Sequence, residues 1–89
     1  MISEKDKRII RKLSEKYHVR KVLLFGSSLD PAQEGRDIDL AVEGIDPRKF
    51  FKYYGDLMFG LSKPVDLIDL SDKSKFVTLV RRDGVQIYG

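Results

Sequence analysis

Residues 22–40 hold the feature that most narrows how this chain can fold. Val22-Leu23-Leu24-Phe25 is a short apolar run that breaks at Gly26-Ser27-Ser28. Nine residues separate Ser27 from Asp37, and Asp37-Ile38-Asp39-Leu40 then alternates carboxylates with apolar side chains. A continuous apolar run bounded by charges and a glycine reads as a buried strand, and the alternation reads as a second strand. On a strand, residues i and i+2 project from one side, so Asp37 and Asp39 point together while Ile38 and Leu40 face the opposite layer. Two carboxylates about 7 Å apart along one strand repel unless a cation sits between them. Hard oxygen ligands suit a hard divalent cation, magnesium first. Gly26 lets the backbone of the bend approach a ligand closely, because no side chain stands in the way.

The remainder reads as alternating helices and strands. Ser3 and Asp6 resemble a capping box, with Asp in place of Glu, and Ile9, Ile10, Leu13 and Tyr17 recur at helical spacing over residues 4–17. His18 follows as a helix-end or turn residue. A short helix is expected over residues 28–35, stopped by Gly35. Either Ser28 caps it, with Pro31 in the first turn, or Asp30 caps it, with Pro31 first and Gln33 completing a box. The first arrangement is the expected one, because it aims a helix N-terminus at the Gly-Ser bend.

Residues 38–43 form the second strand, ended by Gly44, and Asp46-Pro47 starts a helix by cap and N1 proline. Phe50, Tyr54, Leu57 and Leu61 make its apolar stripe. Phe51, Tyr53, Met58 and Phe59 widen that stripe past one face, which suits either a partner surface or cover for the sheet. Residues 65–70 form a third strand. Ser71 is expected to cap a last helix through Arg82 carrying Phe76, Val77, Leu79 and Val80, and after the Asp83-Gly84 turn residues 85–88 form a closing strand. The order α-β-α-β-α-β-α-β implies a small sheet with helices packed on it.

Eighty-nine residues make a single domain, residues 1–89, that buries roughly 60% of its unfolded surface and has no room for a separate substrate domain. With 42% hydrophobic and 35% charged residues the chain reads as folded and not disordered. It has no cysteine, so neither a disulfide framework nor a thiolate metal site is available. No run approaches a membrane span and the first residues lack a signal-peptide core, so a cytoplasmic location without membrane attachment is expected. Net charge is +3, and eight Lys/Arg crowd residues 1–21. Glu4, Asp6 and Glu15 are interspersed among them, which favours a solvated helix face over a nucleic-acid surface.

Gly26-Ser27, nine residues, then Asp37-Ile38-Asp39 resembles the signature of the DNA polymerase beta-like nucleotidyltransferase superfamily. The short chain is most similar to its minimal nucleotidyltransferases, antitoxins paired with HEPN-domain toxins. The motif covers residues 24–40, and the element order extends the likeness over nearly the whole chain. The resemblance implies an α/β (α+β) fold with a small mixed sheet of about four strands. It also implies a third carboxylate on the third strand. Strand parity leaves Asp66 and Asp69 as candidates on opposite sides; the resemblance selects Asp66, as metal ligand and general base, and leaves Asp69 as a strand-end carboxylate. Asp37, Asp39 and Asp66 would then hold magnesium, two ions, while Gly26, Ser27 and Ser28 bind the triphosphate of ATP. Members often carry Arg and a second Gly soon after Gly-Ser, where this chain has Asp30 and Pro31. Arg36 stands where members have Ser and is assigned to supply the missing cation. The implied activity is magnesium-dependent transfer of AMP from ATP to a hydroxyl, a tyrosine, of a cognate HEPN toxin. The alternative is a binding module that neutralises its partner through the aromatic-rich segment 47–61 without chemistry.

Overall fold

The computed structural model describes residues 2–30 and 37–89. The Ser3 hydroxyl accepts the Asp6 N–H at 3.1 Å and so satisfies one of the donors that a helix start leaves unpaired; α1 (Glu4–Lys16) follows. The reciprocal half of the expected capping box is replaced by a longer-range contact. The Asp6 carboxylate is buried and accepts from the Ser62 N–H (3.2 Å) and hydroxyl (2.6 Å). A carboxylate so enclosed needs hydrogen bonds, and Ser62 supplies two. His18 sits in the turn after α1 with left-handed backbone, φ 55°.

β1 (Lys21–Leu24), β2 (Ile38–Glu43), β3 (Val65–Asp69) and β4 (Val85–Tyr88) form one sheet in the order β3-β2-β1-β4. β1 runs antiparallel to both β2 and β4, while β2 and β3 are parallel, so the sheet is mixed. The parallel pair requires a crossover. α2 (Phe50–Gly60) provides it, entered through a 3-10 turn (Pro47–Lys49) whose start is capped by the Asp46 side chain accepting from the Arg48 N–H at 2.9 Å.

Side-chain alternation gives the sheet two different faces. Val22, Leu24, Ile38, Leu40, Val42, Val65 and Leu67 pack against Ile10 and Tyr17 of the first helical segment and Tyr53, Leu57 and Leu61 of the second. Leu23, Phe25, Ala41 and Leu70 face the other way and meet Val77 and Val80 of α3 (Lys75–Asp83). α3 has only nine residues and leaves the rest of its face open. Its cap is Ser74, which accepts the Val77 N–H at 3.1 Å, and not Ser71 as expected. Ser71 instead donates its own N–H to the Asp69 carboxylate at 2.9 Å, so the chain turns for three more residues before the helix begins. Asp69 is thus a strand-end carboxylate, as expected.

The two long helices are joined by polar contacts. The Ser14 and Tyr53 hydroxyls share a hydrogen bond of 2.8 Å inside the core, and the Tyr17 hydroxyl donates to Asp56. Burial pushes the Tyr53 phenol up to about 12, so it stays neutral and able to donate. Tyr53, grouped by sequence with the surplus aromatics, is fully buried, whereas Phe51, Met58 and Phe59 are exposed at 81%, 58% and 95%. Among the described residues no helix is long and apolar enough to cross a membrane.

On the α3 face the Glu43 carboxylate accepts from Arg81 (2.6 Å) and Arg20 (3.2 Å), and Arg81 also donates to the Leu70 carbonyl. The Arg81 hydrogen bond foremost holds the Glu43 carboxyl below the usual glutamate range. A lowered folded-state value stabilises the fold above the ordinary range, and that stabilisation disappears as pH falls through the lowered value. Glu43→Gln should therefore melt below wild type at neutral pH, and the two melting curves should converge at acid pH. Leu57→Ala, which empties a fully buried site, should cost about 2–5 kcal/mol in urea unfolding.

Candidate active site

Strand directions decide what meets at the leading end of β2. Because β1 is antiparallel to β2, the chain leaves β1 beside the start of β2; because β3 is parallel to β2, their starts lie side by side. Gly26-Ser27, Asp37-Asp39 and Asp66 therefore share one edge of the sheet. In register, Asp39 is the direct partner of Asp66, with Ile38 opposite Val65 and Leu40 opposite Leu67. Direct partners share a face, so Asp39 and Asp66 both project on the α3 side, beyond the part that α3 covers. Asp66 and Asp37 are exposed and Asp39 is half-buried.

The Gly-Ser bend is wound as a 3-10 turn (Gly26–Leu29). Gly26 has left-handed backbone (φ +61°), and a Cβ there would lie 2.8 Å from Asp39 Oδ2. The glycine thus serves the approach of a carboxylate as well as the turn. The same Oδ2 accepts both the Ser27 N–H (3.1 Å) and the Ser27 hydroxyl (2.9 Å). Ser28 does not cap a helix as expected. Its hydroxyl accepts the Asp39 N–H at 2.7 Å and donates to the Asp37 carbonyl at 3.3 Å. An uninterrupted antiparallel ladder would return the Asp39 N–H to the Phe25 carbonyl. Here the Phe25 N–H reaches the Asp39 carbonyl (3.1 Å) while Asp39 turns its own N–H to Ser28. Ser28 thereby splices the bend onto the start of β2.

The structure therefore brings together Gly26, Ser27, Ser28, Asp37, Asp39 and Asp66. Arg36, and the expected helix end at Pro31–Gly35, lie outside the described residues. Three carboxylates on one open edge are hard oxygen donors of the type that holds magnesium. Among the described residues no three His, Cys, Asp or Glu side chains close on a common point; the Asp39 carboxylate is directed at Ser27. Sequence reasoning overlooked the aromatic flank of this edge. Phe25 lies beside Asp39 across the ladder, and Phe76 of α3 stands edge-on to it, with ring centroids 5.8 Å apart at 76°. The available signal was the parity of Phe25 with Leu23, which places it on the face opposite Leu24.

Among the described residues this edge carries a Gly-Ser bend and carboxylates on two parallel strands, and residues 7–89 match the family Polymerase beta, Nucleotidyltransferase: the chain belongs to it. Several solved structures with the same fold are of toxin–antitoxin assemblies. A chain in the crystal structure of a toxin–antitoxin with AMP-PNP aligns with a TM-score of 0.76 and 29% identity, over 93% of this chain and 73% of that one. A chain of the toxin–antitoxin MntA-HepT aligns at 0.73 and 26%, over 98% and 73%. One in the complex of a tri-AMPylated Shewanella oneidensis HEPN toxin with MNT antitoxin aligns at 0.70 and 27%, over 94% and 70%. A comparison with curated proteins finds no significant match.

Gly26→Ala should cost about 1–2 kcal/mol in unfolding free energy from the left-handed backbone alone. Its methyl group should also displace the Asp39 carboxylate from Ser27. Denaturant titration beside wild type tests this, and an unchanged midpoint would show that the bend relaxes freely.

Proposed function

We propose that the protein transfers AMP from ATP to a hydroxyl, a tyrosine, of a cognate HEPN-domain toxin and so acts as its antitoxin. The observation that carries this reading is the register that sets Asp39 beside Asp66 at the edge where the Gly26-Ser27 bend closes. The AMP-PNP and AMPylated-toxin complexes of the structural neighbours support the nucleotide and the acceptor class.

In this reading Asp37, Asp39 and Asp66 hold magnesium, two ions, whose chemistry when bound is to neutralise charge on the phosphate oxygens and to orient them for in-line displacement. The Ser27 N–H and hydroxyl, given to Asp39 in the structure, pass to the triphosphate together with the backbone of Gly26, with Arg36 adding a cation and Ser28 keeping the bend in place. Asp66, exposed like Asp37, takes the proton of the acceptor hydroxyl. The hydroxyl oxygen bonds to the α-phosphorus, the bond from that phosphorus to the bridging oxygen breaks, and pyrophosphate leaves. Catalysis here is positioning and charge compensation, which suits a site built from side chains and one bend. The acceptor protein itself excludes water from this edge.

A second reading is favoured by the exposure of Phe51, Met58 and Phe59 on α2, an apolar surface fit to cover a partner without chemistry. One experiment separates the two. Purified HEPN partner is incubated with ATP, magnesium and either wild type or Asp39→Asn, and its mass is measured. The transferase reading expects one or more AMP additions with wild type, a loss of about a hundredfold or more with Asp39→Asn, and an intact complex on size exclusion in both cases. No addition by wild type, with the complex formed, leaves the binding module.

A further inference from the structure

Phe25, Asp39 and Asp66 form a row across three adjacent strands on one face of the sheet, each step being the strand spacing of about 4.8 Å. The row is acidic at one end and aromatic at the other. Against Phe25 stands Phe76, its ring edge-on at 5.8 Å between centroids while 52% of the residue stays exposed. Val77 and Val80 already dock α3 onto the sheet, so the fold does not require a large aromatic at position 76. At the other end of the row β3 is the edge strand, so no strand follows Asp66, and the next residue of that face along β3 is Ile68, opposite Ala41 and partly buried. The exposed flat apolar surface therefore borders the site on the Phe25 side, directly beside the bend.

A nucleoside triphosphate has the same polarity, anionic at one end and a flat π-face at the other. We propose that Phe76 is the platform on which the nucleobase of the bound triphosphate rests. The inference depends on the transferase reading of Asp37, Asp39 and Asp66 and adds to it the position of the base. The Phe25 ring fixes the orientation of Phe76, so little side-chain freedom is lost on binding. A ring face reads stacking area and not hydrogen-bond pattern, so Phe76 favours purines over pyrimidines without separating adenine from guanine.

The chain contains no tryptophan, so Phe76→Trp places a single indole reporter at this position. With magnesium present, ATP should quench its fluorescence, and inorganic tripolyphosphate, which has no base, should not. In transfer assays with the HEPN partner, Phe76→Ala should raise the KM for ATP about ten- to a hundredfold at nearly unchanged kcat. The inhibition constant of tripolyphosphate should stay at the wild-type value, and Phe76→Tyr should restore the KM. Equal quenching by tripolyphosphate, no quenching by ATP, or an unchanged KM in Phe76→Ala overturns the platform, as does an effect confined to partner affinity. The two readings fail separately. ATP-specific quenching without AMP transfer by wild type keeps the platform and removes the transferase; transfer with a KM indifferent to Phe76→Ala does the reverse.

Discussion

Carboxylates gathered at one end of a sheet repel one another, and nothing in their own chemistry would bring them there. The pairing of β2 with β3 does. Apolar partners on the opposite face, Ile38 with Val65 and Leu40 with Leu67, belong to the core beneath α1 and α2, and they hold the register in which Asp39 faces Asp66. A slip by one residue would drive Asp66 into that core and expose Leu67, a cost no surface interaction offsets. The hydrophobic face thus sets the alignment of the acidic one. Parallel direction is equally needed, since an antiparallel β3 would carry its carboxylate to the far end of the sheet.

The bend after β1 completes the same edge by local means. Gly26 permits the approach of Asp39, Ser27 holds that carboxylate with two donors, and Ser28 ties the bend to the backbone of Asp37 and Asp39. Each is a short-range contact between segments that strand direction has already placed together. The short α3 then matters for what it leaves uncovered. It buries Leu23, Phe25 and Ala41 and stops short of the carboxylates, with Glu43 and Arg81 fastening it at the opposite end of β2.

Much of this was legible from residue order. The four strands, the helix caps at Ser3 and Asp46 and the bend at Gly26 follow from periodicity and capping chemistry, while parity left Asp66 and Asp69 open and only the family resemblance chose between them. The misreadings are choices between residues that look alike locally. Ser71 and Ser74 are equally good caps; the Asp69 carboxylate captured the Ser71 backbone and left the helix start to Ser74. Ser28 looked like a helix cap because a proline follows, yet its hydroxyl is taken by the start of β2. Tyr53 and Phe51 are two residues apart on an aromatic helix, and only the position of α1 buries one while exposing the other. Asp6 resembled half of a capping box until Ser62, distant in sequence, supplied it with two hydrogen bonds.

The sequence by itself determined which residues are candidates for chemistry and which segments alternate, because spacing and side-chain type act within a few residues. It also determined the parity by which Asp37, Asp39 and Asp66 each lie opposite their apolar neighbours. Only the tertiary structure decided that these carboxylates share one edge with the Gly-Ser bend, and that Phe76 stands against Phe25. Strand direction, register and the packing of α3 are set by contacts between residues far apart in the chain, and local pattern does not encode which of those contacts form.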